Sequence, residues 1–329
     1  MSPALRREKR HLIMCDCVQY KVYLIGHPLR RTPDMASHAD AFKAAGLPVD
    51  YERQDVPPVN FHRVMTSLIR DPDFLGAKVA VPYKQTALAY CQEISQAAQG
   101  IGAVNTLVRR PSGLVFGHNT DVAAFVQCVR EQGVERVRTA LILGAGGAAR
   151  VTLAGLRELG CARYMVGYRH PRRCAELSGQ FKGIRRQTTF FPLEEMVAFF
   201  QWTDRVKLFG DRPPMDPPQP GEDDGRKRWD LLVNATPVGG GHLAGQTLID
   251  NLNFLRCFDR VLDLVPSPGP TRLVQRAREA QVPALEGLRV FELQAEFARQ
   301  TWIKELKRRL REEGQPPLRR QPVLKRRSR

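Results

Sequence analysis

The chain has 329 residues, 43% of them hydrophobic, and a formal net charge of +17. That length suits two domains with a sizeable core, and no uninterrupted apolar run approaches the roughly 18 residues that a membrane span needs. The seven cysteines are scattered singly apart from Cys15-Asp16-Cys17, with no CxxC pair and no nearby histidine pair. This usage argues against a metal site and for reduced thiols in a cytoplasmic protein.

The N-terminal stretch MSPALRREKRHLIMCDCVQYK is basic, but Asp16, Gln19 and Lys21 break its apolar part, so neither a signal peptide nor a presequence is expected. From Tyr20 to about Asp121, short apolar runs (KVYLIG, AKVAVP, AVNTLVR) alternate with helix-like runs (MASHADAFKAAG, NFHRVMTSLIRD, QTALAYCQEISQAA). Such alternation predicts a parallel-rich α/β domain. The first strand-to-helix loop, GHPLRRTPDMASH, carries Arg30, Arg31, Thr32 and Asp34, an unusual gathering of charge where α/β proteins place ligands. Further along, Lys84 follows a strand in GAKVAVPYK, Asn105 lies in GAVNT, and Asp121 closes GHNTD.

A second α/β unit begins at TALILGAGGAARVTLAGLRELG. There an apolar strand runs into the turn Gly144-Ala145-Gly146-Gly147-Ala148 and then a helix, the arrangement by which a Rossmann domain lets backbone approach a dinucleotide pyrophosphate at a helix N-terminus. The next strand, RYMVG, ends in Tyr168-Arg169-His170-Pro171-Arg172-Arg173 with no acid. An NAD site uses an Asp or Glu there for the ribose 2′-hydroxyl, whereas arginines such as Arg169 and Arg173 suit a 2′-phosphate, so NADP is the expected cofactor. The strands WDLLVNATPVG and RVLDLVPSP follow. Between them and RYMVG, residues 203–229 are rich in Pro, Gly and charge and read as a surface loop inserted in this domain.

After Pro283, EGLRVFELQAEFARQTWIKELKRRL has helical periodicity and an apolar face, suited to returning onto the first domain. Residues 304–329 carry +8 and residues 1–12 carry +3, so the termini hold most of the net charge. The tail from 313, with several prolines and few apolar residues, is expected to be disordered. A solvated tail is the simplest reading of that charge, with phosphate or nucleic-acid contact the lesser alternative.

Together these pieces resemble the shikimate/quinate dehydrogenase family: GHPL with His38, VPYK, GAVNT, GxNTD, GAGGAAR, NATPVG and EGLxVFxLQAExF occur in its order and spacing over roughly residues 20–303. The resemblance implies a small substrate domain (20–121 with 287–312) facing a Rossmann NADP domain (122–286) across a cleft. It implies Lys84 as catalytic lysine with Asp121 as its carboxylate partner, Asn105 as a substrate-hydroxyl ligand and Gln294 as a residue closing on the substrate. Asn234 and Thr236 of NATPVG join Gly144, Gly146, Gly147, Ala148, Arg169 and Arg173 on the cofactor side. A Lys/Asp pair suits the chemistry, because hydride leaves a carbinol carbon only as the hydroxyl proton departs.

The departures from the family concern the substrate's acid group. Without gaps, Thr32 and Asp34 stand where the family has two serines, Lys78 replaces an asparagine, Ala80 a threonine and Pro266 a tyrosine. An ionised Asp34 about 4 Å from a substrate carboxylate would be repelled by roughly 4 kcal/mol unless Arg30, Arg31 or Lys78 offset it. The expected protein is an NADP-dependent dehydrogenase acting on shikimate, quinate or a related cyclic hydroxy acid, with its acid-binding pocket rebuilt. The alternative is a non-catalytic metabolite sensor or transcriptional regulator derived from such an enzyme. The altered pocket and basic termini favour that alternative, and the retained Lys84, Asp121, Asn105 and Gln294 disfavour it. Oligomeric state is not legible.

Overall fold

The computed structural model describes residues 19–29, 34–195 and 228–312, without the side chains of residues 34–37. The basic N-terminal segment, Arg30, Arg31 and Thr32, the Asp34 side chain, the expected loop before residue 228 and the basic tail lie outside the described residues.

Two six-stranded sheets carry the architecture. The first contains β1 (Tyr20–Gly26), β2 (Val49–Asp55), β3 (Phe74–Val79), β4 (Glu93–Ile94), β5 (Thr106–Arg109) and β6 (Val115–His118), in the order β2-β1-β3-β5-β6-β4. Its flanking helices are α1 (Asp34–Ala44), α2 (Phe61–Arg70) and α3 (Gln96–Ile101). The second sheet contains β7 (Thr139–Leu143), β8 (Arg163–Tyr168), β9 (Thr188–Pro192), β10 (Trp229–Asn234), β11 (Phe258–Asp263) and β12 (Ala284–Glu286). Its order is β12-β11-β10-β7-β8-β9 and every pairing is parallel. That is the doubly wound Rossmann order. Helices α4 (Asp121–Arg130), α5 (Gly147–Glu158), α6 (Pro171–Gln180), α7 (Leu252–Leu255), α8 (Arg272–Glu279) and α9 (Gly287–Glu312) are the remaining α-helices among the described residues.

Parallel strands need crossovers, and helices on both faces bury them entirely. The central strand β3, FLGAKV, is accordingly buried at every position, Lys78 included. Two features differ from the pattern read along the sequence. The run AVNTLVR yields β5 antiparallel to both β3 and β6, because the short turn after Arg109 permits only a hairpin. The run QTALAYCQEISQAA is not one helix. Thr86–Tyr90 forms a short 3₁₀ turn, Glu93–Ile94 pairs with β6, and α3 starts afresh at Gln96. The break is local: the Ser95 hydroxyl accepts from the Ala98 N–H at 3.2 Å as an N-cap, and the Gln92 carboxamide accepts from the Val115 N–H at 2.7 Å.

Helix α9 starts from the second sheet and packs on the first. Gly287 opens it where a Cβ would lie 2.5 Å from the Leu264 carbonyl carbon and 2.6 Å from the Asp263 and Val265 oxygens, so only glycine fits. Fifteen residues on, the wholly buried Trp302 donates its indole N–H to the Leu107 carbonyl at 2.9 Å. It fits there because Gly76 has no Cβ, which would sit 2.6 Å from the indole nitrogen. Arg309, also buried, donates to the Arg109 carbonyl and lies over the Tyr20 ring. Helix α4 packs between α9 and α5, close enough that a Cβ on Gly155 would strike the Phe125 ring at 2.4 Å.

Among the free thiols, Cys91, Cys128 and Cys161 are pushed up to about 12 by burial. His118, at the end of β6, packs tilted against Phe116 with ring centroids 4.4 Å apart and planes at 43°. Desolvation, with Arg110 and Lys304 nearby, pulls its pKa down to about 4; Arg110 itself pairs with Glu93 at 2.9 Å.

Two stability predictions follow from this packing. Trp302→Ala is expected to cost about 3–5 kcal/mol, as a large buried ring is deleted and its cavity remains; the urea midpoint measures it. His118 binds its proton less readily in the folded than in the unfolded chain, so its contribution is present above the ordinary pKa of 6.5 and is lost as pH falls towards about 4. The wild type is therefore expected to lose about 1 kcal/mol more than His118→Phe between pH 7 and pH 5, after allowance for partial exposure.

Candidate active site

Lys84 and Asp121 face one another across the wall of a cavity of about 510 Å³, with Nζ 2.7 Å from Oδ2. Each comes from the end of a regular element. Lys84 follows β3 through Val81 and Pro82, and its carbonyl is held by the Val104 N–H at 2.8 Å. Asp121 is the first residue of α4, where a carboxylate is favoured by the helix dipole. Its own N–H donates to the Asn119 Oδ1 at 3.0 Å, while the Asn119 amide donates to the Ala103 carbonyl at 3.0 Å.

The loops GAVNT and HNTD hold one another. The Asn105 carboxamide oxygen accepts from the Thr106 hydroxyl at 2.9 Å and the Thr120 N–H at 3.0 Å, and its amide donates to the Thr120 hydroxyl at 3.0 Å. The Thr120 hydroxyl then donates to the Gln294 carbonyl on α9 at 3.1 Å. Asn105, 1% exposed, thus sits behind the cavity wall and braces the turn that presents Asp121. Asn119 and Thr120 carry this bracing and were not singled out from the sequence, although both stand in the quoted GHNTD. Gln294 itself lines the cavity.

Lys78 is buried on β3 with its ammonium 4.7 Å from the centroid of Phe291, a cation–π distance. Phe291 and Pro266 line the cavity, whereas Lys78 lies beneath Phe291. Thr32 and the Asp34 side chain fall outside the described residues.

A second cavity, of about 610 Å³, adjoins the first across Ala145, Gly146 and Arg173, which line both. Gly144 turns with φ +110°, and a Cβ there would lie 2.9 Å from the Ala235 carbonyl oxygen. Gly146 caps α5 with no side-chain bond to the helix N–H groups, which leaves those donors facing this space. Gly147 and Ala148 line the first cavity, Arg169 and Thr236 the second. Asn234, at the end of β10, is buried one residue behind Ala235 and braces the loop that carries Thr236. Arg150, just past the glycines on α5, was also missed from the sequence. Its Nε is buried without a hydrogen-bond partner, and its Nη2 lies 3.4 Å from Glu176. The glycine cradle, the bare helix end and the unpartnered Arg150 Nε fit a phosphorylated dinucleotide.

Among the described residues no helix is long and apolar enough to cross a membrane.

Comparison with known proteins places this geometry. Residues 24–107 match the shikimate dehydrogenase substrate binding domain. The chain is 31% identical to "Shikimate dehydrogenase (NADP(+))" of Symbiobacterium thermophilum over 85% of its own length and 87% of that protein. It is 32% identical to the protein of the same name from Methylobacterium radiotolerans, over 86% and 91% of the two chains. The crystal structure of shikimate 5-dehydrogenase from Thermus thermophilus, in complex with NADP(H) and shikimate, superposes with a TM-score of 0.66 at 27% identity, covering 89% of this chain and 99% of that one. With the motifs, the two-sheet architecture and these relatives in agreement, the chain belongs to the shikimate dehydrogenase family.

Proposed function

We propose that the chain is an NADP-dependent dehydrogenase that interconverts a ring hydroxyl and a ketone on shikimate or a related cyclic hydroxy acid. Residues 20–121 and 287–312 serve the substrate and residues 122–286 the cofactor. The observation that carries the reading is the Lys84–Asp121 pair at 2.7 Å on a cavity that runs into the glycine turn and its arginines. A pure sensor has no need of a proton-handling pair at that place.

When bound, NADP supplies the two-electron exchange at the ring carbon. The protein handles the proton and the charge. The Lys84 ammonium stands at the ring oxygen, stabilises negative charge as it develops there, and exchanges the proton with it. Asp121 holds Lys84 in place and keeps the ammonium from being a lone charge in a partly buried cleft. Gln294, on the same wall, orients the ring hydroxyls.

The acid group of the substrate is met by charge instead of the family's hydroxyls. Ala80 and Pro266 have no hydroxyl, and Lys78, buried beneath Phe291 and not itself lining the cavity, sets a cation behind the aromatic ring of the wall. A charge set behind the wall attracts an acid without requiring one hydrogen-bond direction, and it tolerates acids whose rings differ from shikimate, quinate among them.

A spectrophotometric NADP(H) assay against shikimate, quinate and other cyclic hydroxy acids tests the reading, and no turnover with any of them refutes it. Lys84→Ala is expected to lower kcat by about 10²- to 10⁴-fold while NADPH affinity stays within about twofold; normal turnover removes Lys84 from the chemistry.

The arginines generate a separate expectation. NADP should bind at least about tenfold more tightly than NAD, and replacing Arg169 and Arg173 together by alanine should erase most of that preference, since charge-assisted bonds to phosphate are among the stronger ones. Titration of nucleotide fluorescence measures both affinities, and equal binding in the wild type overturns the NADP assignment.

A further inference from the structure

Asp263, the last residue of β11, is a wholly buried carboxylate that the proposed chemistry does not use. Its Oδ1 accepts from the Asn234 amide at 2.9 Å and the Val265 N–H at 3.1 Å, and its Oδ2 accepts from the Thr271 hydroxyl at 2.5 Å. Burial pushes its pKa up, opposed by these three donors. Taking a carboxylate out of water is expensive, and a neutral core would have been the easier solution for stability alone.

What the carboxylate touches is the loop on the wall of the second cavity. Asn234 neighbours Asp263 in the sheet register. Beyond Asp263, the Asn234 amide donates to the Val238 carbonyl at 3.0 Å. Its oxygen accepts from the Thr236 N–H at 3.1 Å and the Thr236 hydroxyl at 2.6 Å. The Thr236 hydroxyl in turn accepts from the Val238 N–H at 3.2 Å. Every hydrogen-bonding site of the Asn234 side chain is thus in use. A carboxamide has two orientations of almost equal shape, related by a flip. The flipped one would aim its oxygen at the Asp263 carboxylate and the Val238 carbonyl, and its NH₂ at the Thr236 N–H. As a carboxylate Asp263 only accepts, so together with the Val238 carbonyl and the Thr236 N–H it holds the amide in the orientation seen.

We propose that Asp263 is a positioning residue for cofactor binding: by accepting from Asn234 it fixes the facing of that amide, and through it the place of Thr236 and the 235–238 loop against the glycine turn. The inference rests on the NADP reading above. Ala235, Thr236, Pro237 and Val238 line the same cavity as Gly144, Arg169 and Arg173, and the Ala235 carbonyl lies 2.9 Å from the site a Gly144 Cβ would take. A loop displaced towards the turn closes the space, and one displaced away from it loses the polar edge.

Two replacements separate positioning from packing. Asp263→Asn keeps an oxygen for Asn234 and Val265, and its amide donates to the Thr271 hydroxyl, so NADPH affinity is expected within about threefold of wild type. Asp263→Leu has similar size and no acceptor. Its NADPH dissociation constant, read by nucleotide fluorescence, is expected to rise at least about tenfold, with kcat at saturating cofactor and KM for the cyclic acid within about twofold. In the nucleotide-free protein, amide exchange at Thr236 and Val238 should accelerate in Asp263→Leu and not in Asp263→Asn. If Asp263→Leu does not fold by its urea transition, Asp263→Ala carries the same expectations. A lowered urea midpoint with unchanged NADPH affinity and unchanged exchange at Thr236 and Val238 would overturn the proposal. Failure of the wild type to bind NADPH would instead refute the cofactor reading, with the exchange measurement still deciding whether Asp263 orders the loop.

Discussion

The close crossing at Gly287 sets the arrangement of everything else. Helix α9 leaves the second sheet at a point where three backbone atoms of 263–265 stand within 2.6 Å of an imagined Cβ. From there it runs over α4 and onto the first sheet, ending with Trp302 and Arg309 hydrogen-bonded to carbonyls of Leu107 and Arg109. A side chain at 287 would lift the helix off its start and misplace Phe291 and Gln294, which sit one and two turns along on the cavity wall. The cleft is thus a product of backbone contact more than of loop design. Its two sides are two rigid sheets, and the helix that joins them also carries part of the lining.

The site follows the same economy. The reactive pair is short, Lys84 and Asp121, but it is held by Asn119 at the cavity wall and by a network behind it. Asn105, Thr106 and Thr120 form a closed set of hydrogen bonds that ends on the α9 backbone. Asn234 and Asp263 do the same for the loop on the cofactor side. In both places a buried amide held by several hydrogen bonds replaces flexibility with one geometry, which is how polar networks specify structure. Lys78 differs from this bracing, a buried cation beneath an aromatic ring.

Most of the second sheet was legible because its strands are continuous apolar runs ended by Gly, Asn or Pro, and because the glycine turn announces the first crossover. The first sheet was less so. β4 is two residues long and is created by its partner, not by its own propensity. β5 looks like any parallel strand until the hairpin to β6 reverses it. At the site, Lys84, Asp121 and Gln294 could be named from motifs, since each reaches the cavity from a short signature. Asn105 could be named but not placed: sequence distinguishes a ligand from a brace only through the partners, and Thr120 lies fifteen residues away. Asp263 was invisible in VLDLVP because an acid at the end of a strand is usually solvated, and only burial reveals that it is not.

The order of synthesis acquires a meaning from the return of α9. Residues of the first sheet emerge first, yet the groove between Gly76 and Leu107 that receives Trp302 is filled 195 residues after Leu107. The second sheet, whose strands are contiguous from 139 to 286, can assemble on the ribosome while that groove still faces water. The nascent first domain therefore waits, incomplete, for the last stretch of the chain. A chain released shortly before residue 302 would hold one finished domain and one with an open apolar seam, the kind of surface that chaperones bind.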